Sequence, residues 1–523
     1  MTPHFEYADW PIERSEMVAI SDLLLERAPA LFSSVYKSDE FSSRCLVNLS
    51  CRLLQDILAF VVAIALKQRS IENGSRDSIF SSPIFSRVID GKGSIWDLAT
   101  IKMLQTGLKD VSASRKFGRI LKELVIQDNL MRRPLAMTDL NRDIVSVSYQ
   151  PLILKASTLI QERVNLVPPH GWFPAVEKST VETISKNEDF NRIKSAIATL
   201  AVECMQSLML DVQKNEINVL KQFTQEALSF VGSYVLQLDS QSGKLPNYLW
   251  SGSSGIIWIR LLQDAVLRKG GQVTGFDHAE GADIDESCKF GFVELQTVSK
   301  FITFNRYTAN HFRKAANLYN FTGLTPEIKF LAFNDIKVTK ASIQNRKISR
   351  VQTILFLPPF ISETDFGLYP ALGPVQGMKF ISKVLSFTAE LGIDVIMKPH
   401  PEMKFPLKNF ALEMPHVNLV YAGKSEDYLD GADALLLDYP MQTTMGAALQ
   451  TNLPIALIDT GQICLSEKLC AAMSKRIGYA KLLEDGDGGW HFEKDHIRST
   501  LDAALLVAAD TSFAHEFMQE HQG

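Results

Sequence analysis

Three short apolar runs, Val351-Gln-Thr-Ile-Leu-Phe-Leu357, Ile393-Asp-Val-Ile-Met397 and Ala434-Leu-Leu-Leu437, carry the reading of the fold. Each is too short and too uniformly apolar for an amphipathic helix, and each stops abruptly. The first meets Pro358-Pro359, the second Lys398-Pro-His-Pro401 and the third Asp438-Tyr-Pro-Met-Gln-Thr-Thr444. Between the first two, Val375 to Leu391 has helical spacing and ends at Gly392. Val417–Tyr421 and Pro454–Ile458 read as two further strands, and Glu426–Leu429 and Met445–Gln450 as short helices. Strands without polar alternation, separated by helices, predict a parallel sheet covered on both faces. Such sheets bind ligands beyond the carboxyl ends of their strands.

Working back toward the N-terminus, the same alternation begins near Gly243. Tyr248–Trp250, Gln272–Phe276 and Phe301–Phe304 read as strands. Ile256 to Arg268, ended by Gly270-Gly271, and Tyr307 to Leu318 read as helices. Residues 335–350 are polar and basic, as suits an interdomain linker or a solvated loop. Earlier still, Ser43–Lys67 and Ile193–Val231 have apolar residues at three- and four-residue spacing, with Pro168, Pro169 and Gly171 between them. The expected division is a mostly helical region over 1–240, a Rossmann-like unit over 241–345 and a second over 346–523. The fold class is α/β, two Rossmann-like domains facing a cleft with a helical N-terminal extension.

A chain of 523 residues exceeds one hydrophobic core. Its 46% hydrophobic and 22% charged residues are those of a folded globular protein. The formal net charge of −5 and the lack of a basic run argue against nucleic acid as a partner. The cysteines at 45, 51, 204, 288, 464 and 470 form no CxxC pair, so neither a zinc site nor a disulfide framework is expected. The polar start of the sequence lacks an apolar secretory segment, and a cytoplasmic location is expected. Ile57–Leu66, only ten residues long, is expected to be a buried helix rather than a membrane span.

The loops after the three quoted strands hold the unusual chemistry. They contain Glu363, then Lys398, His400 and Pro401, then Thr443 and Thr444. Free N–H groups and the positive dipole end at the start of a helix suit a phosphate, and two threonine hydroxyls add donors. The same pair also suits a plain helix N-cap. His400, fixed between two prolines, can donate to a phosphate or to a leaving-group oxygen. Lys398 can add charge, but it lies on the opposite pleat from Met397 and ranks below His400, Thr443 and Thr444.

This ordered set resembles the donor domain of GT-B glycosyltransferases: Lys398-Pro-His-Pro401, then Tyr428-Leu-Asp-Gly-Ala-Asp433, an apolar strand and Thr443-Thr444 opening a helix. It is closest to bacterial surface-polysaccharide enzymes, namely sialyltransferases, Kdo transferases and CDP-glycerol transferases of teichoic acid. The resemblance covers about residues 350–460. It implies that His400-Pro401 and Thr443-Thr444 hold the donor phosphate, with threonines where that family has serines. It also implies catalysis without a metal or other cofactor. The implied donor is a nucleotide-activated sugar, favoured as a CMP-linked Kdo or nonulosonate. The implied acceptor is a glycan or lipid-linked oligosaccharide at the inner membrane face, where contact with the membrane or a polysaccharide-assembly complex is a further expectation.

The acceptor side points to Gly275-Phe-Asp-His-Ala-Glu-Gly281, followed by Asp283, Asp285 and Glu286. Inverting transfer needs a carboxylate base, and retaining transfer through a covalent intermediate needs a carboxylate nucleophile. Asp277, His278 and Glu280 are the candidates. The segment loosely resembles the acidic-acidic-Gly motif of bacterial sialyltransferases, departing from it at Ala279. Trp250, Ser251 and Ser253–Gly255 are expected to line the same cleft. Asp283, Asp285 and Glu286 lack the remaining spacing of a calcium loop, and no metal is expected. Polyol-phosphate transfer from CDP-glycerol, a UDP-sugar donor and a catalytically inactive assembly role are the alternatives.

Overall fold

The computed structural model describes residues 12–36, 40–72, 84–107, 144–148, 150–160, 164–167, 169–277, 286–331, 347–361, 374–400, 403, 407, 414–440, 443–484, 490–510, 512 and 513. The first part runs α1 (Arg14–Tyr36), α2 (Glu40–Glu72), α3 (Ile84–Ile89), α4 (Ala99–Thr106), β1 (Ile144–Ser146), α5 (Pro151–Ile160), β2 (Val164–Leu166), α6 (Lys178–Ile184), α7 (Phe190–Ser207) and α8 (Lys214–Ser240). It continues as β3 (Tyr248–Ser251), α9 (Ile257–Arg268), β4 (Gln272–Phe276), α10 (Phe290–Glu294), β5 (Lys300–Thr303), α11 (Arg306–Tyr319) and β6 (Glu327–Phe330). The second part is β7 (Thr353–Leu357), α12 (Pro374–Leu391), β8 (Asp394–Met397), β9 (Val417–Leu419), a 3-10 turn (Ser425–Gly431), β10 (Ala434–Leu437), α13 (Thr443–Leu449), β11 (Ile455–Asp459), α14 (Glu467–Met473), β12 (Ile477–Lys481) and α15 (Lys494–Val507).

The protein is α/β, with two six-stranded sheets. Every strand pairing in them is parallel. The second sheet has the order β9-β8-β7-β10-β11-β12. Counted from β7 this is 3-2-1-4-5-6, the doubly wound order, whose strand direction of growth reverses between β7 and β10. Register explains the apolar runs. Leu355, Leu357, Leu435, Leu437, Ile455 and Leu457 face a core shared with α13 and α14. Ile354, Phe356, Ala434, Leu436, Ala456 and Ile458 face another core, under α12 and α15. Side chains alternate across a strand, so a sheet buried on both faces has no polar positions to alternate with.

The first sheet has the order β2-β1-β3-β4-β5-β6, which reverses between β1 and β3. Two of its strands, β1 and β2, come from the stretch expected to be mostly helical. The helices of that stretch are present, and they share one core with the sheet. Phe32 of α1, Ile57 of α2, Ile197 of α7, Val231 of α8, Leu262 of α9 and Val273 of β4 belong to a single buried cluster. Arg260 on α9 sits fully buried at the junction. Its Nη1 donates to the Val47 carbonyl (3.1 Å) and Ser50 Oγ (2.9 Å) of α2, and its Nη2 to the Val293 carbonyl (3.2 Å) of α10. A buried guanidinium is tolerated only with such partners, so these contacts tie the helices to the sheet.

Ile57–Leu66 is buried helix, as its sequence suggests. The helix around it is long and apolar enough to cross a membrane, and 78% of its most apolar window is buried inside the protein. The periodic stretch Ile193–Val231 is two helices rather than one. Met209 takes φ 55°, and the Leu210 N–H returns to the Met205 carbonyl (2.9 Å), closing α7 with a left-handed turn. The six cysteines are all free thiols.

Candidate active site

The second sheet brings its unusual loops to the end where its order reverses. β7 runs into Pro358-Pro359-Phe360, and β8 into Lys398-Pro399-His400. The Phe360 and His400 rings meet edge-on, centroids 5.2 Å apart, and both residues are exposed. The His400 carbonyl accepts from the Met403 N–H (2.9 Å). Lys398 behaves differently. Its side chain is buried and its Nζ donates to the Tyr421 carbonyl beyond β9 (3.0 Å). Burial lowers its pKa, opposed by Asp427 and Glu426. The ammonium therefore points toward the loop after β9 instead of the β7–β10 crevice.

After β10 the chain reaches Thr443 and Thr444 at the start of α13, a helix of seven residues. Thr444 is buried, and its hydroxyl donates to Glu426 Oε1 of the 3-10 turn (3.5 Å). Asp438, the first residue after β10, was not among the residues singled out from sequence. It is fully buried, and its Oδ2 accepts from Gln462 Nε2 (2.8 Å). Burial pushes its pKa up to about 7, with Asp459 adding to the rise and the Gln462 hydrogen bond opposing it. Asp459, likewise buried, ends β11 and accepts from Tyr479 OH (2.7 Å) and the Gly461 N–H (2.7 Å). The signal for both lies in the sequence, as an acid closing an apolar strand: Leu-Leu-Leu-Asp438 and Leu-Ile-Asp459.

The first sheet gathers a second group where its own order reverses. Asp277 follows β4, is buried, donates its N–H to the Ile302 carbonyl (2.9 Å) and accepts Gln150 Nε2 on its own carbonyl (3.2 Å). Gly252 fits against the same glutamine, since a Cβ there would lie 2.9 Å from Gln150 Oε1. The loop Ser251-Gly-Ser-Ser-Gly255 is held from inside by Glu294. Oε2 of that carboxylate accepts the Ser254 N–H (2.6 Å), and Oε1 the Ser253 hydroxyl (3.0 Å). Gln263 adds bonds to Ser251 Oγ (2.6 Å) and Ser254 Oγ (3.0 Å).

The two groups approach each other along a seam. The acidic loop that starts at Asp277 re-enters the described residues at Glu286, whose N–H donates to the Cys464 carbonyl beyond β11 (2.9 Å). Tyr307 OH donates to Glu286 Oε1 (3.4 Å), and burial beside that carboxylate pushes its pKa up to about 12. Glu286 borders two cavities between the units. One of about 560 Å³ lies among α1, Lys289 and residues 461–464. The other, of about 210 Å³, is lined by Tyr307, His311, Ser466 and Leu469. Of the residues expected at the site, His278, Glu280, Glu363 and Pro401 lie outside the described residues, as do Asp283 and Asp285. Thr443 is described in its backbone only.

No family model matches this sequence, and no curated protein matches it either.

Proposed function

We propose that the protein is a GT-B glycosyltransferase, with the donor nucleotide on the second sheet and the acceptor on the first. The observation that carries the reading is the doubly wound order of the second sheet, with His400 and Asp438 at the strand ends near its point of reversal and Thr444 at the start of the following helix. The Phe360 and His400 rings offer an exposed edge there. An acid neutral below about pH 7 at position 438 keeps negative charge away from a bound phosphate. His400, with Pro401, and the Thr443–Thr444 pair hold the donor phosphate, and the favoured donor is a CMP-linked acidic sugar. Asp277, His278 or Glu280 takes the acceptor proton or acts as nucleophile. Glu363 and Lys398 serve as secondary contacts, Lys398 only if it leaves the Tyr421 carbonyl.

One observation favours a non-catalytic assembly role instead. Two side chains expected to face phosphate, Lys398 and Thr444, are engaged internally by Tyr421 and Glu426. Calorimetric titration with CMP, CDP, UDP and GDP separates the readings. CMP binding that weakens in His400→Ala supports a CMP-sugar transferase. Preference for CDP turns the reading to polyol-phosphate transfer, and preference for UDP or GDP to another sugar donor. Binding by none of the four discards the enzyme reading.

A further inference from the structure

Arg14, in the helical first part of the chain, reaches the second sheet. Arg14, at the start of α1, is 5% exposed although α1 otherwise packs into the first core through Met17, Ile20 and Leu24. Its Nη1 donates to the Thr460 carbonyl and its Nη2 to the Gly461 carbonyl, both in the loop after β11. Glu484 lies 3.9 Å away as counter-charge. Gly461 has φ 72°, and a Cβ there would stand 2.9 Å from Arg14 Nη1, so the loop is shaped around the guanidinium. Burial lowers the arginine's pKa to about 10, with Glu484 and Asp459 opposing that shift. A cation so placed is tolerated only where its partners are fixed.

The gripped loop is the one that holds Asp438. Gln462 Nε2 donates to Asp438 Oδ2 (2.8 Å) and to Thr460 Oγ1 (2.9 Å), and the Thr460 hydroxyl donates to the Asp438 carbonyl (3.4 Å). Both the side chain and the backbone of Asp438 thus hang on residues 460–462, and Asp438 opens the loop that leads to Thr443. We infer that Arg14 is a positioning residue for this candidate donor loop, acting through Thr460 and Gln462 on Asp438; the role rests on the nucleotide-binding reading. A planar guanidinium forks onto two adjacent carbonyls, which a lysine ammonium does not reproduce. The N-terminal helix is on this account part of the donor site's support, and a shift of the first unit against the second is felt at residue 438.

The test is a double-mutant cycle of Arg14→Met and Gln462→Ala, with Arg14→Lys as the charge-conserving variant, read by CMP titration and native-state hydrogen exchange. Each single substitution is expected to weaken CMP binding about tenfold, the double no further than either alone, and Arg14→Lys to recover only part of the loss. Multiplying losses, full recovery by lysine, or unchanged affinity in a folded Arg14→Met protein overturns the role. If Arg14→Met does not fold, Arg14→Lys takes its place in the same cycle. If the wild-type protein binds no nucleotide, that reading has failed and exchange alone decides the relay. Amides in 434–440 should then exchange about tenfold faster in the Arg14 variant while those in 394–400 stay unchanged. No acceleration in 434–440, or equal acceleration in both segments, overturns it.

Discussion

The two sheets reverse their strand order at comparable places, and the two reversal points are finished in opposite ways. At the first, the small-residue loop after β3 is filled by the protein itself. Glu294 takes the Ser254 N–H and the Ser253 hydroxyl, and Gln263 Nε2 donates to the Ser251 and Ser254 hydroxyl oxygens. At the second, Phe360 and His400 stay exposed, while Lys398, Asp438 and Thr444 are buried. A glycine- and serine-rich strand end is a ready anion site in principle. Here an internal carboxylate already occupies those donors, so the exposed chemistry falls to the second sheet.

Glu294→Ala is the strongest way to break this contrast. It orphans the Ser254 N–H and leaves the buried Arg260 without its nearby carboxylate. A stability loss of about 3–5 kcal/mol is expected by chemical denaturation, with nucleotide affinity little changed in the folded fraction. Asp438→Asn should come next, with a sign that depends on pH. The folded pKa of about 7 lies above the ordinary 3.8, so the native state favours the protonated acid. The wild type's advantage from this group is full below about pH 4 and is lost as pH rises through about 7. The asparagine variant should therefore match the wild type near pH 4 and exceed it above pH 7, by up to about 4 kcal/mol. A thermal-unfolding series from pH 4 to 8 shows this, and a parallel pair of curves would refute it.

His400→Ala should leave stability unchanged, since the ring is exposed, and should weaken nucleotide binding about tenfold, worth about 1.4 kcal/mol. A fall in melting temperature with intact binding would reverse the assignment of exposed and supporting groups. The smallest effect is expected from Lys398→Met. With Nζ on the Tyr421 carbonyl, its loss should alter nucleotide affinity by less than about twofold, measured by the same titration. A larger loss would mean that the lysine swings into the crevice when ligand arrives.

The central strands were legible because β7, β8, β10 and β11 are apolar on both faces. The edges were not. β6 is Glu-Ile-Lys-Phe with only Ile328 buried, and β12 is Ile-Gly-Tyr-Ala-Lys with an exposed end, so neither carries an unbroken apolar run. β1 and β2 are three residues each, shorter than any periodicity can register. Within the site, His400 and the threonines announced themselves through prolines and position. Glu294 did not, and Asp438, although it closes an apolar strand, is easily passed over, because a carboxylate is read as surface until its partner is known. Those partners lie 24 positions away for Asp438 and 40 for Glu294, at Gln462 and Ser254.

The placement of β1 between β2 and β3 has a consequence for synthesis on the ribosome. β1 is made about a hundred residues before β3, one of its two partners, and the long helices α7 and α8 emerge in between. The first sheet cannot begin to zip from its middle until β3 has emerged, whereas every strand of the second sheet pairs within the stretch from β7 to β12. Sheet pairing across such separations is slow and leaves strands uncovered while the chain lengthens. A fragment begun at residue 241 would also expose the flank of β3 that β1 covers, a raw sheet edge that invites aggregation, while one begun near residue 347 would keep all six strands of its sheet.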